Sequence, residues 1–545
     1  MWVKILLLIF VFSFLFKTDH SFDQDLGRHI KLGEIILKTK AIPNTNLFSY
    51  TNPDFPFINT HWLFEVFVYV WSTSLGFESL LILKIIIFLF SVWLIIKTIS
   101  KQNQALLLPI GFIFLHVLRE RLELRPEIFS FLFTALTLYI LEVSLRAKRG
   151  NLLFILPFIQ LIWINTHIYF FVGLILQAIF LLKGYCTKIL AFVFILSVIL
   201  SLINPNELKG LLYPLNVNQN YGYTIVENQT MFFLENLKFS DPNFLFVKLS
   251  IAITILSMLI TSVKRLFNVK NILISLFGLT MALLNVRSFP YLIFLSLPAV
   301  LSNFGEIKKN SFTRFLSFIT CILLLVESFF YLNGDYYKYK DMDNTVQLKL
   351  VESGKNSMDF VIKNDLPGPI FNNFDIGSYL AYRGYPKLKV FVDGRPEAYP
   401  KDFFTNIYIP SQYDYLKFKQ LEKTLGFNTI IFSHTDQTPW GKNFLQNVVK
   451  DQDWRLVYTD DSIIVLLKTE ITNQKNLTAI DLNKLNPISY HYNNHLSYLR
   501  MGLFLINTQN MESGKQFIDK TLEIFPQDPV ANSLYNNQTK NIFFW

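Results

Sequence analysis

The sequence predicts a polytopic α-helical membrane domain of about eleven spans, followed by a small α/β domain and a C-terminal helical hairpin. Three observations carry this reading. Apolar runs close to the length of about 20 residues that a span needs recur through the first 332 residues. After Tyr331 the composition shifts: Asp335-Tyr336-Tyr337-Lys338 opens a polar linker, and no run of spanning length follows. Over 493–535 apolar residues recur at helical spacing in two blocks. The averages fit such a mixture, with 52% hydrophobic residues, 17% charged residues and a mean hydropathy of +0.34.

The 55 phenylalanines, 25 tyrosines and 8 tryptophans suit lipid-facing helices and interfacial belts. The formal charge of +10 does not describe a nucleic-acid surface, because the basic residues sit in short loops between apolar runs and not on one stripe. Membrane lipid is the expected partner, and nucleic acid is not. Cys186 and Cys321 lie at the edge of or inside apolar segments, and offer neither metal spacing nor a disulfide framework.

The apolar runs fall at about 1–16, 78–98, 104–118, 127–145, 152–166, 168–182, 189–203, 245–263, 271–286, 288–304 and 312–332. The first carries a lone Lys4 and meets no small-residue cleavage site before Lys17-Thr18-Asp19, so it reads as a retained signal anchor. With the N-terminus in the cytoplasm, eleven spans put the basic loops Lys97–Lys101, Arg146–Arg149, Lys183 with Lys188, Lys264–Lys270 and Lys308-Lys309 inside. Merging 152–182 across Asn165-Thr166-His167 would turn the last three outward. The expected protein is therefore a multi-pass protein of the cell's inner (cytoplasmic) membrane with its C-terminal part outside.

That topology places residues 17–77 in a first outer loop, which opens with Asp19-His20-Ser21-Phe22-Asp23-Gln24-Asp25-Leu26-Gly27-Arg28-His29 and continues to His61-Trp62-Leu63-Phe64-Glu65. Its carboxylates are either solvated groups that keep the loop out of the bilayer or the acids of a site at the membrane mouth. Arg119, Arg121, Arg125 and Arg287 also fall on the outer face, where arginine is scarce, and Arg28 joins them there. Guanidinium groups hold phosphate oxygens bidentately and stay charged in a partly dry site. The 119–125 group has Glu120, Glu123 and Glu127 within reach for ordinary pairing, whereas Arg287 has no acid close in sequence. A second outer loop, 204–244, carries Tyr213, Tyr221, Tyr223, Phe232, Phe233, Glu227 and Glu235, and reads as an ordered cap. Its aromatics either anchor at headgroups or stack on a sugar.

In the domain 333–475, strands are expected at Pro369–Phe371, Val390–Val392, Phe427–Phe432 and Ser462–Leu467, with a short helix over Gly377–Tyr382. No glycine-rich phosphate loop is present, which argues against a nucleotide site. In 476–545 the residues Gly514, Phe517, Ile518, Leu522 and Pro526 follow the tetratricopeptide pattern. One such unit cannot bury its own face, so it packs on the α/β domain or recruits a protein partner.

The order of acidic first loop, many short spans, long outer loops and C-terminal outer domain resembles the class C (GT-C) glycosyltransferase fold, related to the dolichyl-phosphate-mannose mannosyltransferases. The similarity is greatest to an uncharacterised bacterial branch. The stretches that carry it are 23–34, 42–51, His61–Glu65, Leu124-Arg125-Pro126, Trp163-Ile164-Asn165-Thr166-His167, Asn204-Pro205, Val286-Arg287 and Phe391-Val392-Asp393-Gly394-Arg395-Pro396-Glu397. The resemblance implies an inverting transfer of a sugar from a polyprenyl-phosphate donor to a glycan, lipid or protein acceptor outside the membrane. It implies Asp25, or Asp23, as the base that takes the hydroxyl proton. Arg287, Arg125, Arg121, Arg119 and Arg28 would hold the donor phosphate. His29, His61, Glu65 and His167 would line the substrate site. Some relatives use a divalent cation, for which Asp23, Asp25, His29 and His61 are the available ligands, although no closed ligand spacing is visible. Two other readings remain: a non-catalytic membrane scaffold of the same fold, and a lipid-sugar flippase. The flippase would require internal repeats and mid-span charges that the sequence does not show.

Overall fold

The computed structural model describes residues 2–100, 105–147, 150–182, 187–216, 221–239, 241, 243–263, 268–305, 310–340, 342–492 and 494–535. The side chains of Asp23, Glu120, Thr187, Val263, Tyr339 and Tyr535 lie outside that description. So do most of the basic loops on which the orientation was argued, including Lys101, Lys148-Arg149, Lys183, Lys264-Arg265 and Lys308-Lys309.

Among the described residues, four helices are long and apolar enough to cross a membrane: Ser79–Thr98, Glu127–Ala147, Asn243–Ser262 and Ser311–Leu332. Seven shorter apolar helices accompany them, and the protein is a membrane protein. Ser79–Thr98 packs on Glu127–Ala147, and Ser311–Leu332 on Trp2–Leu15. The outer side of Ser311–Leu332 exposes Phe312, Phe315, Phe318, Ile322, Leu325 and Phe329, a continuous apolar strip suited to lipid and not to water. Two expected runs are irregular. The stretch 152–182 breaks at Asn165-Thr166-His167 into Leu156–Ile164 and Phe171–Leu181. There the Asn165 amide donates to the carbonyls of Leu161 and Ile203 and accepts from the indole of Trp62. The run 288–304 begins with a wide π-turn, Leu292–Ser296, and settles into Leu297–Phe304 only at Pro298, which has no N–H to continue the ladder.

The first outer loop is also more structured than its sequence suggested. Gly27–Thr39 and the apolar Trp62–Leu75 form a crossed helix pair. They meet at Gly33, where a Cβ would sit 2.1 Å from the Glu65 carbonyl oxygen, so only glycine allows the approach.

The outer domain holds one four-stranded sheet in the order β1-β2-β4-β3, with β1 Ile370–Asn372, β2 Thr429–Ser433, β3 Trp454–Thr459 and β4 Ile463–Lys468. β1 runs parallel to β2 with Phe371 opposite Ile430. β2 and β3 run antiparallel to β4. The edge strand β3 was not foreseen. The expected strand at Val390–Val392 is buried but joins no ladder. The side chain of Asn372 takes over its pairing, accepting from the Phe391 N–H and donating to the Val392 carbonyl. Val390 instead bridges the first outer loop at Ser49.

The core is continuous from the membrane helices into one face of the sheet, where Ile370, Ile431, Val465 and Leu467 join Phe22, Leu350 and Tyr379. The other face forms an aromatic core of Phe371, Phe391, Phe418, Phe432 and Phe444. The two C-terminal helices, His495–Asn507 and Met511–Ile524, pack on each other and bury Met501, Phe504, Leu505 and Phe517 in that second core. The hairpin thus covers the α/β domain.

Candidate functional site

The acidic turn at the start of the first outer loop is anchored before it reaches the site. Asp19 forms a fully buried ion pair with Lys84 of Ser79–Thr98 (2.7 Å) and accepts from the Ser21 N–H (2.8 Å). Its backbone joins the linker at Lys349 and Val351. Burial raises the Asp19 carboxyl, but Lys84 outweighs that and holds it below the usual range. From this anchor a single wide helical turn, Phe22–Leu26, delivers Asp25 to a cavity of ≈ 240 Å³.

The cavity collects residues from both outer loops, the membrane helices and the outer domain. Asp25, Arg28, His29, His61, Arg125, His167 and Arg287 all line it. Asp25 pairs with Arg28 (3.1 Å) and with Arg125 (3.5 Å). Burial pushes its carboxyl up, but Arg125 and Arg28 together hold it below the ordinary value, so it is a carboxylate at neutral pH.

Three arginines, two from the 119–125 stretch and Arg287, gather around Glu227 of the second outer loop. Arg121 reaches it at 2.9 Å, Arg125 at 2.8 Å and Arg287 at 3.0 Å. Arg121 also binds Glu127 at 2.7 Å from behind the cavity wall. Burial alone would raise Glu227, but three guanidinium charges hold it well below its usual value. This cluster shows that these guanidinium groups can hold concentrated negative charge. Arg119 is not part of it. It follows the short 3₁₀ turn Val117–Glu120 toward Ser311–Leu332, bonding Tyr331 (2.7 Å) and Glu327 (3.4 Å). Its guanidinium stacks against Phe246 and Tyr336. The local pairing that sequence offered the arginines is realised only between Arg121 and Glu127 among the described contacts.

The opposite wall carries imidazoles. His29 Nδ1 lies 3.1 Å from Glu65, and the other Glu65 oxygen accepts from Asn59 at 2.6 Å. Glu65 is therefore behind His29 and not at the cavity surface. Burial pushes Glu65 up to about 7. His29 is driven down by burial and by Arg28, whose guanidinium lies 3.4 Å from its Nε2. His61, edge-on to His29 and tilted against His167 with ring centroids at 5.7 and 5.5 Å, is pushed down to about 3 by burial and then by Arg28 and Arg287. His167 Nδ1 meets Ser130 Oγ at 2.7 Å. These rings are neutral hydrogen-bonding surfaces at physiological pH.

The outer domain closes the cavity with Gly394, Pro396 and Glu397. Their turn is fixed by a buried pair of hydrogen bonds that Arg395 donates to the Asp393 carboxylate (2.7 and 2.8 Å). Arg395 also donates to Asn46 (2.7 Å) and lies over the rings of Phe48 and Phe57 in the first outer loop. Tyr213 and Tyr221 of the second outer loop line the same cavity. Sequence reading gave Glu227 and Glu397 no role, and left these tyrosines between anchoring at headgroups and stacking on a sugar. Glu397 stood within Phe391–Glu397, but nothing in its neighbours showed that it would line the same cavity as Asp25.

A divalent cation does not suit the residues present. Among the described residues no three of His, Cys, Asp and Glu converge on one point. The Asp25 carboxylate is already shared by two guanidinium groups, and the side chain of Asp23 lies outside the description. No step is derived through a metal.

No family model matches the chain, and no curated protein does. Among solved structures it is similar to the archaeal oligosaccharyltransferase AglB from Archaeoglobus fulgidus, determined in complex with an inhibitory peptide and a dolichol-phosphate. The superposition has a TM-score of 0.57 at 10% identity, and covers 97% of this chain and 86% of that one. The chain therefore has the class C glycosyltransferase fold, in both its membrane part and its outer part.

Proposed function

We propose that the protein transfers a sugar from a polyprenyl-phosphate-linked donor to an acceptor outside the cytoplasmic membrane. The observation that carries this is the convergence of the neighbours Asp25 and Arg28 with Arg125 and Arg287, each remote from them in sequence, on one cavity. A phosphodiester or pyrophosphate leaving group needs charge stabilisation more than protonation, and fixed guanidinium groups provide it at no reorganisation cost. In this reading Arg287 and Arg125 hold the donor phosphate with Arg28. Arg121 holds Glu127 and Glu227 in place behind them.

Asp25, kept ionised by its arginines, accepts a hydrogen bond from the acceptor hydroxyl and aims it at the anomeric carbon. Attack from the face opposite the phosphate inverts that carbon. His29, supported by Glu65, binds substrate hydroxyls with His61 and His167. The similarity to an enzyme determined in complex with a dolichol-phosphate and an inhibitory peptide supports a lipid-linked donor. The acceptor class stays open between glycan, lipid and protein. The frame is the eleven-span arrangement 1–332 with a cytoplasmic N-terminus, an outer domain 333–475, and a tetratricopeptide-like segment 476–545 able to receive a protein partner.

One observation favours a second reading. Glu227 already fills the arginine cluster, as expected of a non-catalytic scaffold of this fold. Turnover of a polyprenyl-phosphate sugar by the purified protein separates the two. The wild type is expected to bind and turn over the donor. Arg287→Gln is expected to weaken donor binding by roughly ten- to a hundredfold, as for one charge-assisted bond. Asp25→Asn is expected to keep binding and lose turnover. Binding with no turnover across acceptor classes would leave the scaffold.

A further inference from the structure

Three acids line the cavity: Asp25, Glu127 and Glu397. Asp25 and Glu127 are each held by arginine. Glu397 differs: among the described residues no side chain forms a hydrogen bond or ion pair with its carboxylate. It is half-buried, recessed in the wall that the outer domain contributes. Its position is set by a rigid turn. Arg395 is buried against Asp393, Asn46, Phe48 and Phe57, and the Ala398 carbonyl accepts from the Asn46 amide (2.9 Å). The same turn abuts the acidic loop, for a methyl group at Gly394 would stand 3.8 Å from Asp25 Oδ1. A carboxylate with no side-chain partner among the described residues and an arginine-bound carboxylate thus line one cavity from two separately anchored turns.

We propose that Glu397, contributed by the outer domain, is the general base that takes the proton of the acceptor hydroxyl. This rests on the glycosyl-transfer reading and assigns a residue within it. The acceptor oxygen forms its bond to the anomeric carbon while the bond from that carbon to the phosphate oxygen breaks. The bonding pair leaves on the lipid phosphate, and the hydroxyl proton passes to the Glu397 carboxylate, which later releases it to water. Asp25 orients the hydroxyl and keeps the arginines aligned, but its proton affinity is lowered by the charges it serves.

The charged and titratable groups facing Glu397 are Arg28 from the first outer loop, Arg395 and Asp393 from its own turn, and Tyr213 and Tyr221 from the second outer loop. Burial raises its carboxyl, and this outweighs the opposing pull of Arg28 and Arg395. Two carboxyls pushed in opposite directions within one site divide the labour, with the raised one the better proton acceptor.

The test is turnover of a polyprenyl-phosphate sugar against pH, with wild type, Glu397→Gln, Glu397→Asp and Asp25→Asn in parallel with donor binding. The wild-type rate is expected to fall on the acid side with a midpoint above the ordinary carboxylate range, as the base becomes protonated. Glu397→Gln should bind donor as the wild type does, lose about 10²- to 10⁴-fold in kcat, and show no such limb. Glu397→Asp should regain part of the rate and the limb. A Glu397→Gln protein with wild-type rate and an unchanged acid limb would overturn the proposal and leave glycosyl transfer standing. A wild type that binds donor but never turns it over would overturn both.

Discussion

The turn that begins at Asp19 and the turn that begins at Asp393 share a plan and differ in outcome. Each opens with a buried aspartate locked to a buried cation, Lys84 in one case and Arg395 in the other. Each then presents an acid to the same cavity, Asp25 and Glu397. The first acid meets two guanidinium groups and is held ionised; the second meets none at bonding distance and is raised by burial. The same functional group therefore acquires two chemistries from its surroundings, one suited to fixing charge and one to exchanging a proton.

The strongest way to break this comparison is at the locks. Asp393→Ala leaves Arg395 buried without its counter-ion, which costs about 3–5 kcal/mol for a pair this enclosed (side chains 0% and 1% exposed). The expected outcome is a large drop in thermal unfolding temperature with loss of turnover. Donor binding should survive in whatever fraction folds, because the arginine cluster hangs on the other lock. Asp19→Ala should destabilise comparably but take donor binding with it, since Asp25 and the turn leading to Arg28 lose their anchor. Equal donor affinity in the two folded variants would show that the turns are not independent supports.

Sequence reading set a composition boundary near Tyr331 because lipid and water impose such different side chains. It singled out Asp25, Arg28, Arg125, Arg287, His29, His61 and His167 because charge and imidazole beside apolar helices need a reason. It could not foresee what depends on contacts between remote segments. Glu397 lines the same cavity as Asp25 on a turn that Arg395 ties to Asn46, and that bond joins residues 349 positions apart. The break in 152–182 was argued from the charge of the loops around it, whereas the bond that Asn165 accepts there comes from the indole of Trp62, 103 positions away. Val390–Val392 had a strand's composition, but Asn372 supplies by side chain what a neighbouring strand would supply by backbone.

A smaller effect should separate the histidine wall from both turns. Glu65 has no exposed surface and is raised from its ordinary 4.5 to about 7. Between those limits the folded state binds a proton that the unfolded chain has released. Stability therefore falls as pH rises through the window, at a slope of up to about 1.4 kcal/mol per pH unit. Below the window both states are protonated and the dependence vanishes. Thermal unfolding from about pH 4 to about pH 8 is the measurement, and Glu65→Gln should flatten that part of the profile. An unfolding temperature that instead climbed across the window would mean Glu65 is an ion-paired carboxylate with a protonated His29.

The smallest expected effect on the site belongs to Arg119, which sequence placed beside Arg121 and Arg125. Its partners are Glu327 and Tyr331, on the far side of a turn from the cavity. Arg119→Gln should cost stability on the scale of one charged hydrogen bond, about 1.5–3 kcal/mol, since Glu327 would keep only His116 and Tyr331. Donor affinity should stay at the wild-type value, whereas Arg287→Gln loses it. The contrast matters because all the outer arginines would attract an anionic headgroup through long-range charge alone. Charge attraction falls with salt and is indifferent to which arginine is removed, whereas a built phosphate site is neither. Measuring both variants at low and high ionic strength decides between them. An Arg119 variant as impaired as the Arg287 variant would mean that the outer face binds lipid phosphate as a diffuse basic surface, without a defined site.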